Sequence, residues 1–323
     1  MYAFGHKMPG TIAVLQLGRL GDTVLTTPLF SALRTTFPGA EIIALTGSDN
    51  GVILQGHPSV DRVIALPRAF LALPATARRL HSAVVDLYID FKDHRSTMSR
   101  RIAGMIEADV RLLYAENAPS HRPWTPIRAS TISEPHYVDV ALSPMSVIAP
   151  GVSFERRPSL PLPIESVKRI DPQMAPGDQG IIAVNISVGD RSRNWGLGKW
   201  EDLIDALSHR YSIAVLSSPE DRPKADEVCA MRRQARPIRT ESLLDVAVAL
   251  TRSRVVISPD TSVIHVASAL DVPVVGLYPS GERNLARFAP LSKQRIVLLP
   301  PGDELLASID VADVIAAVEA LVG

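Results

Sequence analysis

A chain of 323 residues exceeds what one ordinary hydrophobic core serves and suits two domains. Hydrophobic residues make up 46% and charged residues 21%, a globular balance, and a formal net charge of zero supplies no overall field to draw the chain to nucleic acid or to an anionic membrane. The single cysteine, Cys229, excludes an internal disulfide and fits a reducing cytoplasm; the opening "MYAFGHKMPG" lacks a signal-peptide core and no window approaches the roughly 20 apolar residues of a membrane span, so a soluble cytoplasmic protein is expected.

"TIAVLQL" (residues 11–17) is a nearly continuous apolar run, as a strand buried on both faces should be. The next stretch carries Val24, Leu25, Leu29, Phe30 and Leu33 at helical spacing and stops at Pro38-Gly39. "AEIIALTG", "DRVIALP" and "SAVVDLYID" read as further strands, with a helix over "RAFLALPATARRL". Strand and helix alternating at short intervals predict a parallel sheet covered on both faces. After about Tyr137 the rhythm breaks into a segment rich in proline and glycine, as a crossing between domains would be. It then restarts with strands at "GIIAVNIS", "YSIAVLSS", "RVVISPD" and "VPVVGLYPS". Helices are expected over "KWEDLIDALSHR", "DRPKADEVCAMRRQ", "SLLDVAVALTRS", "TSVIHVASALD" and the tail "DVADVIAAVEALVG". The expected architecture is α/β, with two doubly wound halves at residues 1–165 and 166–323.

Open α/β sheets bind ligands beyond the carboxyl ends of their strands, so the polar turns after the apolar runs carry the chemistry. "LGRLGDTVLTTP" holds Gly18 and Gly21 but not the three glycines of a dinucleotide fingerprint. Asp22 there is most simply a helix cap; a general base at a strand-end turn, kept ionised by the helix N-terminus, is the sharper reading. In "NISVGDRSRNWGLGKW", Ser187, Arg191, Arg193 and Lys199 place polar and cationic groups where a phosphate would sit, while Trp195 and Trp200 read as scaffold. Glu220 and Asp221 follow a strand, where a carboxylate accepts from ribose hydroxyls or simply charges a first helical turn. Asp260, Thr261 and Ser262 open a helix with His265 one turn in, an N-cap and equally an anion site built from backbone amides. No D-x-D pair, P-loop, H-E-x-x-H or G-x-S-x-G is present, and the eight histidines show no ligand spacing, which leaves a metal-free anion site.

Three stretches in this order, "RLGDTVLTTPLFSALRTTFPGAEIIALTG", "NISVGDRSRNWGLGKWEDLI" and "SPDTSVIHVASALDVPVVGLYPS", resemble glycosyltransferase family 9, the heptosyltransferases of lipopolysaccharide core assembly. The resemblance spans nearly the whole chain. It implies a GT-B fold of two Rossmann-like domains facing a central cleft, the first binding the acceptor and the second the donor. The closing helix of that fold is expected to pack back on the first domain. It also implies metal-independent, inverting transfer from a nucleotide sugar, typically ADP-heptose, with no cofactor. Asp22 matches the family's catalytic base in the Gly21-Asp22 turn, which also holds Gly18. Asp260 matches the aspartate that touches sugar hydroxyls, Thr261 and Ser262 the residues that present amides to the diphosphate, and His265 the histidine of the same helix. Glu220 matches a ribose-binding carboxylate loosely, and Ser187 belongs to the phosphate segment. Two positions depart from the pattern: Arg193 stands where many members carry lysine, and Ser262 where many carry glycine.

The implied partners are a nucleotide-sugar donor and a saccharide or lipid-linked saccharide acceptor at the inner membrane's cytoplasmic face, with peripheral membrane contact left open and no nucleic acid. Arg68, Arg78, Arg79, Arg95, Arg100 and Arg101 of the first half could meet phosphorylated sugars or headgroups, or be ordinary solvated cations. Three alternatives stay open. One is a family 9 transferase with another donor or a different acceptor; another is a non-catalytic nucleotide-sugar binder. The third, a nicotinamide oxidoreductase, is opposed by the missing third glycine.

Overall fold

The computed structural model describes residues 8–66, 85–128, 134–174, 180–302 and 304–323. The helix expected over "RAFLALPATARRL", and with it Arg68, Arg78 and Arg79, lies outside them. The chain forms two compact units, Met1–Pro161 and Leu162–Gly323, divided inside the proline-rich crossing rather than at 165/166.

In the first unit the described elements run β1 (Thr11–Gln16), α1 (Leu20–Thr36), β2 (Glu41–Gly47), β3 (Arg62–Leu66), β4 (Val85–Asp90), α2 (Thr97–Met105), β5 (Ala108–Leu113), β6 (Thr125–Pro126), α3 (Tyr137–Leu142) and α4 (Met145–Ile148). The strands form one sheet in the order β3-β2-β1-β4-β5-β6, with every pairing parallel. The apolar runs are continuous because both faces are covered. Ile12 and Val14 of β1 join Leu29, Phe30 and Leu33 of α1 in one core, while Ala13 and Leu15 join Ile102 and Ala103 of α2 in another.

Pro28 lies inside α1 and supplies no N–H to the Val24 carbonyl. The Thr27 hydroxyl fills that place at 2.8 Å and also accepts the Ser159 N–H at 2.9 Å, which fastens the crossing segment to α1.

The second unit continues with α5 (Ile164–Ile170), β7 (Ile181–Asn185), α6 (Leu197–Ser208), β8 (Ser212–Leu216), α7 (Arg222–Cys229), β9 (Ala235–Ile238), α8 (Leu243–Thr251), β10 (Val255–Pro259), α9 (Ser262–Leu270), β11 (Val274–Leu277), α10 (Glu282–Phe288), β12 (Arg295–Leu298) and α11 (Val311–Val322). Its sheet, again parallel throughout, has the order β12-β11-β10-β7-β8-β9. Helix α7 ends at Cys229, short of the expected run to 234.

The apolar face of the closing helix packs within the second unit. Val314, Ala317, Val318 and Val322 of α11 enter the same core as Ile182, Val184, Val255 and Ile257 of the second sheet.

Each sheet has one place where successive connections diverge to opposite sides. In the first unit it lies between β1 and β4, in the second between β7 and β10. A crevice opens there, beyond the carboxyl ends of the two strands.

Candidate functional site

At the first divergence the β1–α1 turn is fixed by a small set of polar bonds. Gln16, 2% exposed at the end of β1, accepts the Gly18 N–H at 2.8 Å through Oε1. Its Nε2 donates to the Asp22 carbonyl at 3.1 Å and to the Thr26 hydroxyl, so the turn is held from inside.

 Asn50 reaches across from the β2 end and donates to the Gly18 carbonyl. A side chain at position 18 would set its Cβ 2.5 Å from Asp22 Oδ2, so only glycine lets the carboxylate lie against the turn. Gly21 is buried in the first turn of α1. Asp22 is half-buried, and its Oδ2 accepts the Arg19 N–H at 2.8 Å. The capping role is therefore real, and it does not decide against a base, because both roles call for a carboxylate at a helix start.

Asp90, which the sequence reading passed over, ends β4 and pairs in register with Leu15. It is 1% exposed; Oδ1 accepts the Lys92 N–H at 3.1 Å, and Oδ2 has no hydrogen-bond partner among the described residues. Burial pushes its carboxyl up to about 6, against the Lys92 N–H bond that lowers it. The signal was available: an acid closing an apolar run. Asn117 secures the loop that follows, donating to the carbonyls of Lys92 and His94 at 2.7 and 3.0 Å and accepting the Ser96 N–H at 2.8 Å. Arg95 and Arg101 are exposed and Arg100 is half-buried.

At the second divergence Asn185 closes β7 and straps it to β10. Its Nδ2 lies 3.0 Å from Ser258 Oγ, 3.1 Å from Thr261 Oγ1 and 3.2 Å from the Ser187 carbonyl. Thr261 caps α9 by accepting the Val263 N–H at 3.3 Å, and Ser262 is the first residue of that helix. Arg193, in a 3-10 turn, donates through Nη1 to the Asp260 carbonyl at 2.5 Å and stands 3.2 Å from Asp260 Oδ2. Asn284 of α10 donates to the same Oδ2. Asp260 is 2% exposed; burial raises its pKa, opposed by the Arg193 charge and the Asn284 bond. His265 is buried, with its ring centroid 6.0 Å from that of Phe288, so it packs the end of α10.

Ser187 joins this cluster to the β8 end by accepting the Ser218 N–H at 2.8 Å. Beside it lies a cavity of about 620 Å³, lined among others by Arg191, Trp200, Ser218, Glu220, Asp221 and Lys224. Glu220 is exposed at this place, and Lys224 bonds Asp221 at 2.7 Å. The tryptophans are scaffold: both are 1% exposed, edge to face at 4.6 Å, and Trp195 donates to the Ile309 carbonyl at 2.9 Å. Lys199 joins them, donating to the same carbonyl at 2.7 Å. Arg193 with Asp260, and Ser187 with Asn185 and Thr261, thus form two bonded sets that meet at consecutive residues 260 and 261, and Glu220 lies on the adjoining cavity. Asn185 shows the same signal as Asp90, a polar residue ending a buried strand; Asn284 carries none, since only folding brings α10 to Asp260.

Solved structures share this architecture along the full chain. The crystal structure of the glycosyl transferase family 9 from Veillonella parvula matches with a TM-score of 0.82 and 19% identity, covering 97% of each chain. Escherichia coli heptosyltransferase WaaC with ADP matches with a TM-score of 0.74 and 19% identity, over 96% of this chain and 99% of that one. The fold is GT-B. Residues 153–305 match the family model described as glycosyltransferase family 9 (heptosyltransferase). Lipopolysaccharide heptosyltransferase 3 of Escherichia coli is 24% identical over 341 residues, covering 93% of this chain and 96% of the relative. The protein is a glycosyltransferase, and the segment that matches the family 9 model spans most of its second unit. The matched segment holds Ser187, Arg193, Glu220, Asp260 and Asn284; Asp22 lies before it.

Proposed function

We propose that the protein transfers heptose from ADP-heptose to a hydroxyl of a lipopolysaccharide-core-like saccharide, with inversion and without a metal or other cofactor. The observation that carries this reading is the state of Asp260. Its Oδ2 is tied to Arg193 and Asn284, while its Oδ1 has no partner among the described residues. A buried carboxylate with an unused oxygen at a sheet divergence suits a ligand hydroxyl.

In this reading Arg193 uses one nitrogen on Asp260 and keeps the rest of its planar fork for diphosphate oxygens, which a lysine in its place could not divide in this way. The amides at Thr261 and Ser262 face the same diphosphate at the start of α9. Ser187 and Glu220 border the cavity side, where the nucleoside would lie, Glu220 accepting from ribose. Asp22 takes the proton from the acceptor hydroxyl as that oxygen bonds to the anomeric carbon and the sugar–ADP bond breaks, so that ADP leaves with the bonding electrons. The cations Arg95, Arg100 and Arg101 of the first unit suit a phosphorylated acceptor at the cytoplasmic face of the inner membrane. No helix among the described residues is long and apolar enough to cross a membrane.

Calorimetric titration with ADP, UDP, GDP and NAD⁺, with and without EDTA, tests the donor. Selective ADP binding that survives EDTA is expected. Preference for UDP or GDP would overturn the donor, dependence on a metal would overturn the metal-free mechanism, and binding of NAD⁺ alone would sink the transferase reading.

A further inference from the structure

Asn284 donates to the buried carboxylate of Asp260 and has so far been given no contact with a ligand. It stands on α10, after β11, and is half-buried. Helix α10 is anchored at its far end, where the buried Tyr278 hydroxyl donates to the Phe288 carbonyl at 2.8 Å and the Phe288 ring packs against His265. Asn284 is therefore held in place relative to β10 and α9 rather than carried on a free loop.

Its orientation follows from chemistry. A carboxylate only accepts, so the end of the carboxamide that meets Asp260 Oδ2 is the NH₂ end. The carbonyl oxygen of Asn284 then points away from that bond, and it has no partner among the described residues. Both donors to Asp260, Arg193 and Asn284, converge on Oδ2. What remains is one unused acceptor on each of two directly bonded side chains, Asp260 Oδ1 and Asn284 Oδ1. Phosphate oxygens are acceptors too and would be repelled by them. Hydroxyls are donors, and two adjacent acceptors match two hydroxyls of one polyol.

Resting on the donor reading above, we propose that Asn284 is a specificity-determining residue for the transferred sugar, pairing its carbonyl oxygen with Asp260 Oδ1 to accept from neighbouring sugar hydroxyls. ADP lacks the hydroxyls of the transferred sugar, and its ribose is assigned to Glu220, so the two ligands separate a sugar contact from a nucleotide contact. Wild type, Asn284→Ala and Asp260→Asn are each titrated with ADP and with ADP-heptose. The expected result for Asn284→Ala is roughly tenfold weaker ADP-heptose binding, as for a lost hydrogen bond and a loosened Asp260, with ADP affinity unchanged. Retained ADP binding also reports that the variant is folded. Should Asn284→Ala not fold, Asn284→Gln, which keeps the amide but displaces it by one methylene, answers the same comparison.

Unchanged ADP-heptose affinity, or equal loss for both ligands, overturns the inference. If Asp260→Asn loses the sugar increment and Asn284→Ala keeps it, Asn284 is dismissed while the donor reading stands. If wild type and Asp260→Asn both bind ADP and ADP-heptose alike, the donor reading is wrong and the inference falls with it.

Discussion

The two roles of Asp22 can be separated by a pair of substitutions. Its Oδ2 accepts the Arg19 N–H at 2.8 Å, one bond at the start of α1. Asp22→Ala removes both that bond and the carboxylate. Asp22→Asn removes the charge and the basicity but keeps an oxygen that can accept the same N–H. The lost bond costs about 1 kcal/mol, or roughly 2–4 °C in melting temperature for a unit of this size. Loss of a general base costs roughly 10²–10⁴-fold in rate, about 3–5 kcal/mol in the barrier. Asp22→Asn should therefore melt like wild type and bind ADP like wild type, yet turn over at least about 10²-fold more slowly. Asp22→Ala should show the same rate loss with a lower melting temperature. Acceptor-dependent ADP release from ADP-heptose, read beside thermal melts, makes the comparison. Near-normal turnover in Asp22→Asn would refute the base and leave Asp22 as a cap alone.

Two further outcomes are expected. Arg193→Ala should weaken donor binding by roughly 1.5–3 kcal/mol, the range for a charged hydrogen-bonding partner, and an unchanged donor KM would remove Arg193 from the site. Buried His57 accepts the Ser59 N–H at 3.2 Å and bonds Ser159 at 2.9 Å, and burial lowers its pKa from 6.5 to about 4. Because its folded pKa lies below its unfolded one, its contribution is complete above about pH 6.5 and is lost as pH falls toward 4, up to about 3 kcal/mol. Denaturant unfolding of wild type and His57→Gln at pH 7.5 and pH 5 checks this. The acid loss should shrink in the variant, and an equal loss in both would place the titration elsewhere.

Much of the second site was legible because its residues sit at strand ends, where a change from apolar to polar marks the carboxyl edge of a parallel sheet. Asp260, Thr261, Arg193 and Ser187 were found that way. Asp90 and Asn185 carry the same mark and were passed over for want of a motif around them. The two meanings of Asp22, cap and base, could not be separated by residue type, since both need a carboxylate at a helix start.

The sequence by itself determined the two doubly wound units and most of their elements, because period and apolar runs are local properties that follow from which faces of a strand or helix are buried. Tertiary structure alone decided the rest. It placed the two divergences between β1 and β4 and between β7 and β10, which depends on strand order and not on strand identity. It assigned Lys199 to the Ile309 carbonyl and Arg193 to Asp260, a choice between cations that the sequence leaves open because either can reach a phosphate. It turned the closing helix into its own unit's core, since an apolar face shows that a helix is buried and not against what. Asn284 reaches Asp260 from 24 residues away, a contact that exists only because β10 and β11 lie side by side.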